Sequence, residues 1–182
     1  MDVEEVYVGL GGNIGDSVGI LQHALDKMAS LPGIYDLKAS SFYVTTPVSE
    51  IPQRYYVNAV CRFSTKLAAH DLLKQLQQIE IALSKTPKAK NAPRIIDLDI
   101  LLFRSEIHKT PDLEIPHPRW KERLFVLKPL AELVDKLPVP NTAGICHCSI
   151  QELLKSFPNI HEETVLLLNE NNLATLCKRK CS

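Results

Sequence analysis

The sequence predicts an α+β fold, a mainly antiparallel sheet covered by helices in an α/β/α sandwich. Three observations predict it: residues 54–65 alternate cleanly in polarity, two separate stretches carry apolar residues at helical spacing, and Ile95–Phe103 is a short, strongly apolar run. A chain of 182 residues with 45% hydrophobic composition buries one substantial core, the size of a single domain. Residues 1–140 hold every candidate motif, and residues 141–182 read as a C-terminal extension packed on or trailing from that domain.

The first strand is Val6–Leu10, followed by glycine and asparagine, Gly11-Gly12-Asn13-Ile14-Gly15, as a tight turn. This cluster lacks both the GxGxxG spacing and the Gly-Lys-Ser/Thr of a P-loop. Asp16 is placed to cap a helix over residues 17 to 30, where Val18, Leu21, Ala24, Leu25 and Met28 recur on one face and Pro32-Gly33 ends the run. Leu37–Thr45 and Arg54–Thr65 read as strands flanking the loop Thr46–Pro52. Asp71 then caps a second helix with the stripe Leu72, Leu73, Leu76, Ile79 and Leu83. Lys85–Pro93 has no periodicity and reads as a solvated, mobile loop. Beyond the apolar strand and a turn near Thr110-Pro111-Asp112, a third helix carries Leu124, Leu127, Leu130, Ala131 and Val134, closed by Pro138 and Pro140. The weaker pattern after Asn141 predicts a short helix over Ile150–Lys155 and an edge strand at Val165–Leu168.

Lys plus Arg total 21 and Asp plus Glu total 21, so no global field attracts nucleic acid or an anionic membrane, and anion binding must be local. No run of about 18 apolar residues is present. Five cysteines, Cys61, Cys146, Cys148, Cys177 and Cys181, show no framework spacing, which predicts a reducing, cytoplasmic setting. Cys146-His147-Cys148 is too tight for the common zinc knuckle, and free thiols are the simpler reading.

Strand side chains alternate faces, so Asp97 and Asp99 emerge on one side, about 6 to 7 Å apart at their backbones. Two carboxylates at that spacing share hard cations such as magnesium bound to substrate phosphates; an exposed acidic edge facing lysines gives the same pattern. Arg94, just outside the strand, adds a guanidinium whose fork suits phosphate oxygens. His117 lies between two prolines, with Arg119, Lys121 and Arg123 following, a turn that suits a polyphosphate or simply begins a solvated basic helix. Tyr56 and Asn58 share a strand face. A ring beside an amide holds a flat heterocycle by stacking one face and bonding one edge, and aromatic packing also explains the tyrosine.

These residues together resemble the 6-hydroxymethyl-7,8-dihydropterin pyrophosphokinase family of folate biosynthesis. The resemblance spans roughly residues 5 to 140. It rests on Gly-Gly-Asn near the first strand, Ser41-Phe42-Tyr43 with Thr45 and Pro47, Tyr56-Val57-Asn58-Ala59, Pro93-Arg94 through Asp97-Leu98-Asp99, and Ile115-Pro116-His117-Pro118-Arg119. It implies a ferredoxin-like core and transfer of the terminal pyrophosphoryl unit of ATP to the pterin hydroxymethyl oxygen, releasing AMP. Asp97 and Asp99 would hold two Mg2+ ions, with Arg94 and Arg123 as phosphate clamps. Tyr56 and Phe125 would sandwich the pterin, while Asn58 and backbone groups near Thr45 and Val48 read its edge. Gln77, Glu80, Lys85, Ile100 and His117 resemble nucleotide contacts. A monomer with small-molecule partners, and with no nucleic acid or membrane, is the expectation. Two departures stand out: Asn91 replaces a tryptophan of the loop, and Gly12 stands where serine is usual. The alternatives are a catalytically impaired pterin- or nucleotide-binding module on this scaffold and another Asp-x-Asp nucleotidyl or glycosyl transferase.

Overall fold

The computed structural model describes residues 5–46, 54–84, 95–158 and 164–169. Its elements run β1 (Val6–Gly12), α1 (Ser17–Ala29), β2 (Ile34–Ala39), β3 (Tyr43–Thr45), β4 (Tyr56–Thr65), α2 (Ala69–Leu83) and β5 (Asp97–Phe103). The small hairpin β6 (His108–Lys109) and β7 (Glu114–Ile115) follows, then a 3-10 turn (Trp120–Glu122) and α3 (Leu124–Leu133). The hairpin β8 (Lys136–Asn141) and β9 (Gly144–Ser149), α4 (Ile150–Lys155) and β10 (Val165–Leu167) complete it.

The main sheet is antiparallel, in the order β10-β3-β4-β1-β5, with β2 pairing the far end of β4. Taking β2, β4, β1 and β5 as neighbours, the two βαβ passes through α1 and α2 generate the expected ferredoxin-like core. Alternation along the strands divides the apolar residues into two layers. Val6, Val8, Leu10, Cys61, Phe63, Leu98 and Ile100 pack with Leu21, Leu25 and Met28 of α1 and Leu72 and Leu76 of α2. Tyr7, Val60 and Leu101 face the other way, onto Trp120, Val126, Leu127, Leu130 and, from the C-terminal hairpin and α4, Leu137 and Ile150. Helices therefore cover both faces, as the sequence predicts.

Several local expectations change. Leu37–Thr45 is two strands, since the chain breaks at Ser40, whose hydroxyl accepts the Val60 N–H at 3.0 Å. The N-cap of α2 is Ala68 without a side-chain cap bond, and Asp71 sits inside the first turn, where its charge suits the helix dipole. Pro138 and Pro140 do not merely close α3: they lie within β8, where their spacing of two puts both missing N–H groups on one edge of the strand. Gly11 and Gly12 belong to β1, and the left-handed residue of the following turn is Gly15, with φ of 72°. By contrast Asp16 caps α1 as expected, accepting the Gly19 N–H at 3.1 Å.

Candidate active site

The site is organised by one row across the sheet. Gly11 of β1 is opposite Asn58 of β4 on one side and Asp97 of β5 on the other, and Tyr43 of β3 is opposite Asn58. Directly opposed residues of an antiparallel sheet point to the same face. Asn58 and Asp97 thus rise from the α3 face about 10 Å apart, two strand spacings, with a glycine between them. A Cβ at Gly11 would stand 2.9 Å from Asn58 Oδ1, so glycine here keeps a shallow trough open and leaves the amide its place. In the next row Gly9 lies opposite Asp99, and there the Leu101 side chain covers the glycine.

On one side of the trough, Thr45 and Tyr56 are paired across β3 and β4. Thr45 and Asn58 are buried, and Asn58 Nδ2 donates to Thr45 Oγ1 at 2.9 Å. That bond fixes which way the amide faces. Tyr56 is half-buried on the same face, two residues before Asn58.

On the other side Asp97 and Asp99 are half-buried. Leu98 between them points into the opposite core, and its N–H donates to the Glu80 carboxylate at 2.7 Å. Glu80 is 5% exposed and meets the outer edge of β5, so α2 ties down the strand between the two aspartates. The period of two places the Ile100 backbone on that same outer edge. Gln77, three residues before Glu80 on α2, is exposed.

The turn into α3 roofs the trough. The His117 N–H donates to Leu101 O at 2.9 Å, anchoring the turn to β5, while Trp120 is buried beneath it. Arg123 Nη1 lies 3.8 Å from Asp99 Oδ2, and the guanidinium also covers the Phe125 ring at 5.6 Å. Burial, and then the neighbouring Arg123 charge, push the His117 imidazole down to about 4. His117 is therefore neutral at pH 7. Its Nδ1 faces the Arg119 N–H at 3.1 Å and its Nε2 faces Arg123 Nη1 at 3.5 Å; both partners only donate, so the neutral ring accepts from one of them at a time.

The structure thus gathers Thr45, Tyr56, Asn58, Asp97, Asp99, His117, Arg123 and Phe125 on one face, and puts Gln77, Glu80 and the Ile100 backbone on the α2 side of β5. Val48, Lys85, Arg94 and Asn91 lie outside the described residues, as do Cys177 and Cys181. Among the described residues no cluster of three or more metal-ligating side chains occurs, and the acidic pair offers two. That set fits a cation delivered with phosphates, since magnesium usually takes one or two carboxylates beside substrate oxygens and water. Cys146 and Cys148 are free thiols, 3.7 Å apart at sulfur, and Cys61 is free and buried.

The residue sequence reasoning misses is Gly11. Its signal is glycine at strand period, Gly9 and Gly11, inside an otherwise apolar strand, a pattern that marks close approach of a ligand or neighbour. Gly12 has a different reason: a Cβ there would meet Ile95 O at 2.4 Å, so this backbone excludes the serine that is usual at the position.

A half-buried carboxylate pair beside a guanidinium, sharing a sheet face with an amide and two aromatic rings, is the equipment of a phosphate-handling transferase. Comparison with known proteins gives the family. Residues 7–135 match the model for 7,8-dihydro-6-hydroxymethylpterin-pyrophosphokinase (HPPK), and the chain belongs to that family, whose members transfer pyrophosphate from ATP to 6-hydroxymethyl-7,8-dihydropterin in folate synthesis. It is 41% identical over 138 residues to 2-amino-4-hydroxy-6-hydroxymethyldihydropteridine pyrophosphokinase of Bacillus subtilis, covering 76% of this chain and 83% of that protein. The Pseudomonas aeruginosa protein of the same name is 37% identical over 139 residues, 76% of this chain and 86% of that one. The folic acid synthesis protein fol1 of Pneumocystis carinii is 41% identical over 142 residues, which are 78% of this chain and 19% of that longer protein. In fold, the chain is similar to a solved HPPK-DHPS in complex with substrates, with a TM-score of 0.59 at 14% identity, covering 84% of this chain and 43% of the other.

Proposed function

We propose that this chain carries out the family's reaction in the trough between Asn58 and Asp97, transferring the terminal pyrophosphoryl unit of ATP to the hydroxymethyl oxygen of the dihydropterin and releasing AMP. Residues 1–140 hold the catalytic apparatus, and 141–182 extend the same domain. The form expected to act is a cytoplasmic monomer.

The acceptor lies over Gly11. Tyr56 and Phe125 supply its two aromatic faces, and Asn58, oriented by Thr45, reads its polar edge together with backbone near Thr45 and Val48. ATP enters along the outer edge of β5, where the Ile100 backbone, Gln77, Glu80, Lys85 and His117 are the candidate contacts. His117, neutral at pH 7, contacts the nucleotide without adding a charge. Arg94 and Arg123 grip phosphate oxygens, Arg123 steadied by Asp99 and by the Phe125 ring. Asp97 and Asp99 would hold two magnesium ions, which, bound with the triphosphate, would supply charge neutralisation and lower the pKa of the attacking alcohol.

The observation that carries this reading is the Asn58–Gly11–Asp97 row, which sets an amide and a carboxylate on one face with a glycine between them; the reading gives the amide to the acceptor and the carboxylate to the metal. The decisive assay is AMP release from ATP. It should saturate with hydroxymethyldihydropterin and require magnesium. Pterin binding without AMP release would instead leave a silent binding module.

A further inference from the structure

We propose that the C-terminal strand β10, which lies outside the segment matched to the family, is a positioning element of the acceptor site that holds its two walls together. The proposal rests on the acceptor assignment above for its catalytic consequence, but not for its structural one.

The first wall ends at β3. β10 pairs with it along its whole length, Val165 with Thr45, Leu166 with Val44 and Leu167 with Tyr43. The contact continues at both ends: the Thr46 N–H donates to Thr164 O at 3.1 Å, the Thr164 N–H to Thr46 Oγ1 at 2.9 Å, and the Leu168 N–H to Phe42 O at 2.8 Å. Thr45, the partner of Asn58, is therefore held by β4 on one side and β10 on the other. A three-residue strand left at a sheet edge would fray, because little apolar area and few ladder bonds oppose local opening.

The second wall is α3, which begins with Phe125 and follows Arg123. Lys128, one helical turn beyond Phe125, donates from Nζ to Val165 O at 2.6 Å, and Val165 is 2% exposed. A further turn on, the Glu132 carboxylate accepts from the Tyr43 hydroxyl at 2.5 Å and from the Ser41 N–H at 2.8 Å. β10, β3 and α3 thus form a closed triangle of contacts behind the acceptor, and β10 supplies two of its three sides. ATP's candidate contacts on α2 and β5 lie across the sheet from this triangle. Arg123, which caps α3, is also held by Asp99 of β5, so the strap should act chiefly on the pterin rather than on the nucleotide.

The test compares the full chain with a version ending at Pro158, with Lys128→Met, which removes only the link to α3, and with Thr46→Val. Steady-state AMP release should show the pterin KM raised about tenfold in the truncation, the scale of one charge-assisted bond plus lost ordering, and several-fold in Lys128→Met. The ATP KM should stay within about twofold. Equal rises for both substrates, or an unchanged pterin KM in the truncation and in both point variants, would overturn the proposal. If the truncation does not fold, the two point variants decide the matter alone. Hydrogen exchange supplies an arm without substrate: Lys128→Met should speed exchange in β3, Thr46 and the start of α3 while leaving α1 and α2 unchanged, and unaltered exchange there refutes the strap. An intact chain that releases no AMP would count against the reaction and leave the exchange result to judge the strap.

Discussion

Thr45→Val separates the shape of the acceptor wall from its polarity. Valine keeps the branched side chain but removes the Oγ1 that accepts from Asn58 Nδ2 at 2.9 Å. Thr45 is 3% and Asn58 6% exposed, so water does not readily replace the lost partner. An unsatisfied buried donor costs about 1–3 kcal/mol. For a chain of this size that corresponds to a fall in Tm of roughly 2–4 °C per kcal/mol. The amide also loses the bond that orients it, and a loss of about 1 kcal/mol in acceptor binding raises the pterin KM roughly fivefold. The ATP KM should not move. Thr45→Ser restores the hydroxyl and should recover most of both effects. Thermal melts and initial-rate AMP release on the three proteins give both numbers. If valine and serine variants share one pterin KM, the Thr45 hydroxyl does not orient Asn58 for the substrate.

Four further outcomes follow from the same geometry. Asp97→Ala or Asp99→Ala should lower kcat by roughly 10³ or more, with the circular dichroism spectrum unchanged, since each removes a carboxylate whose metal stabilises charge worth several kcal/mol; near-normal turnover in either would falsify the metal assignment. Glu80→Leu strips the acceptor from the Leu98 N–H and should cost about 1–3 kcal/mol in urea unfolding, whereas Glu80→Gln should cost much less. Burial works against the ionised Glu132, yet the Ser41 N–H and the Tyr43 hydroxyl outweigh it and hold its pKa below the ordinary carboxylate value. Its contribution is therefore present above that value and lost as pH falls through the depressed one, and Glu132→Gln should flatten this acid limb of the stability profile. His117, depressed from 6.5 to about 4, should remain neutral in a proton NMR titration until the pH approaches 4, and Arg123→Met should move that midpoint upward.

What was legible in the sequence was whatever a local pattern encodes. The stripe Leu21, Leu25, Met28 gave α1, the alternation of Tyr56 to Thr65 gave β4, and the single period between Asp97 and Asp99 gave a shared face before any partner was known. The break at Ser40 was not legible, because β2 and β3 are separated by a hydroxyl bonding the backbone of β4, twenty residues away. Nor was the hairpin of β8 and β9. Pro138 and Pro140 are strong helix breakers locally, and only the register of β8 with β9 shows that their missing N–H groups fall on the edge β9 does not pair. The caps divide in the same way: Asp16 had a backbone N–H within its own turn to satisfy, while Asp71 stood three residues too late.

Gly11 shows why a site can be harder to read than the fold carrying it. Taken along the chain, three glycines in four residues signal a turn, since local conformational freedom is the commonest reason for glycine. Taken across the sheet, Gly11 is the position where a side chain would enter the space between Asn58 and Asp97. The sequence distance from Gly11 to those partners is 47 and 86 residues, so no local rule connects them. Aspartates and aromatics announce chemistry by what they carry, whereas the glycine contributes by what it omits, and register alone converts that omission into a binding trough. A search for glycines at strand period beside the partners of an acidic strand would therefore find such troughs where motif reading finds only their rims.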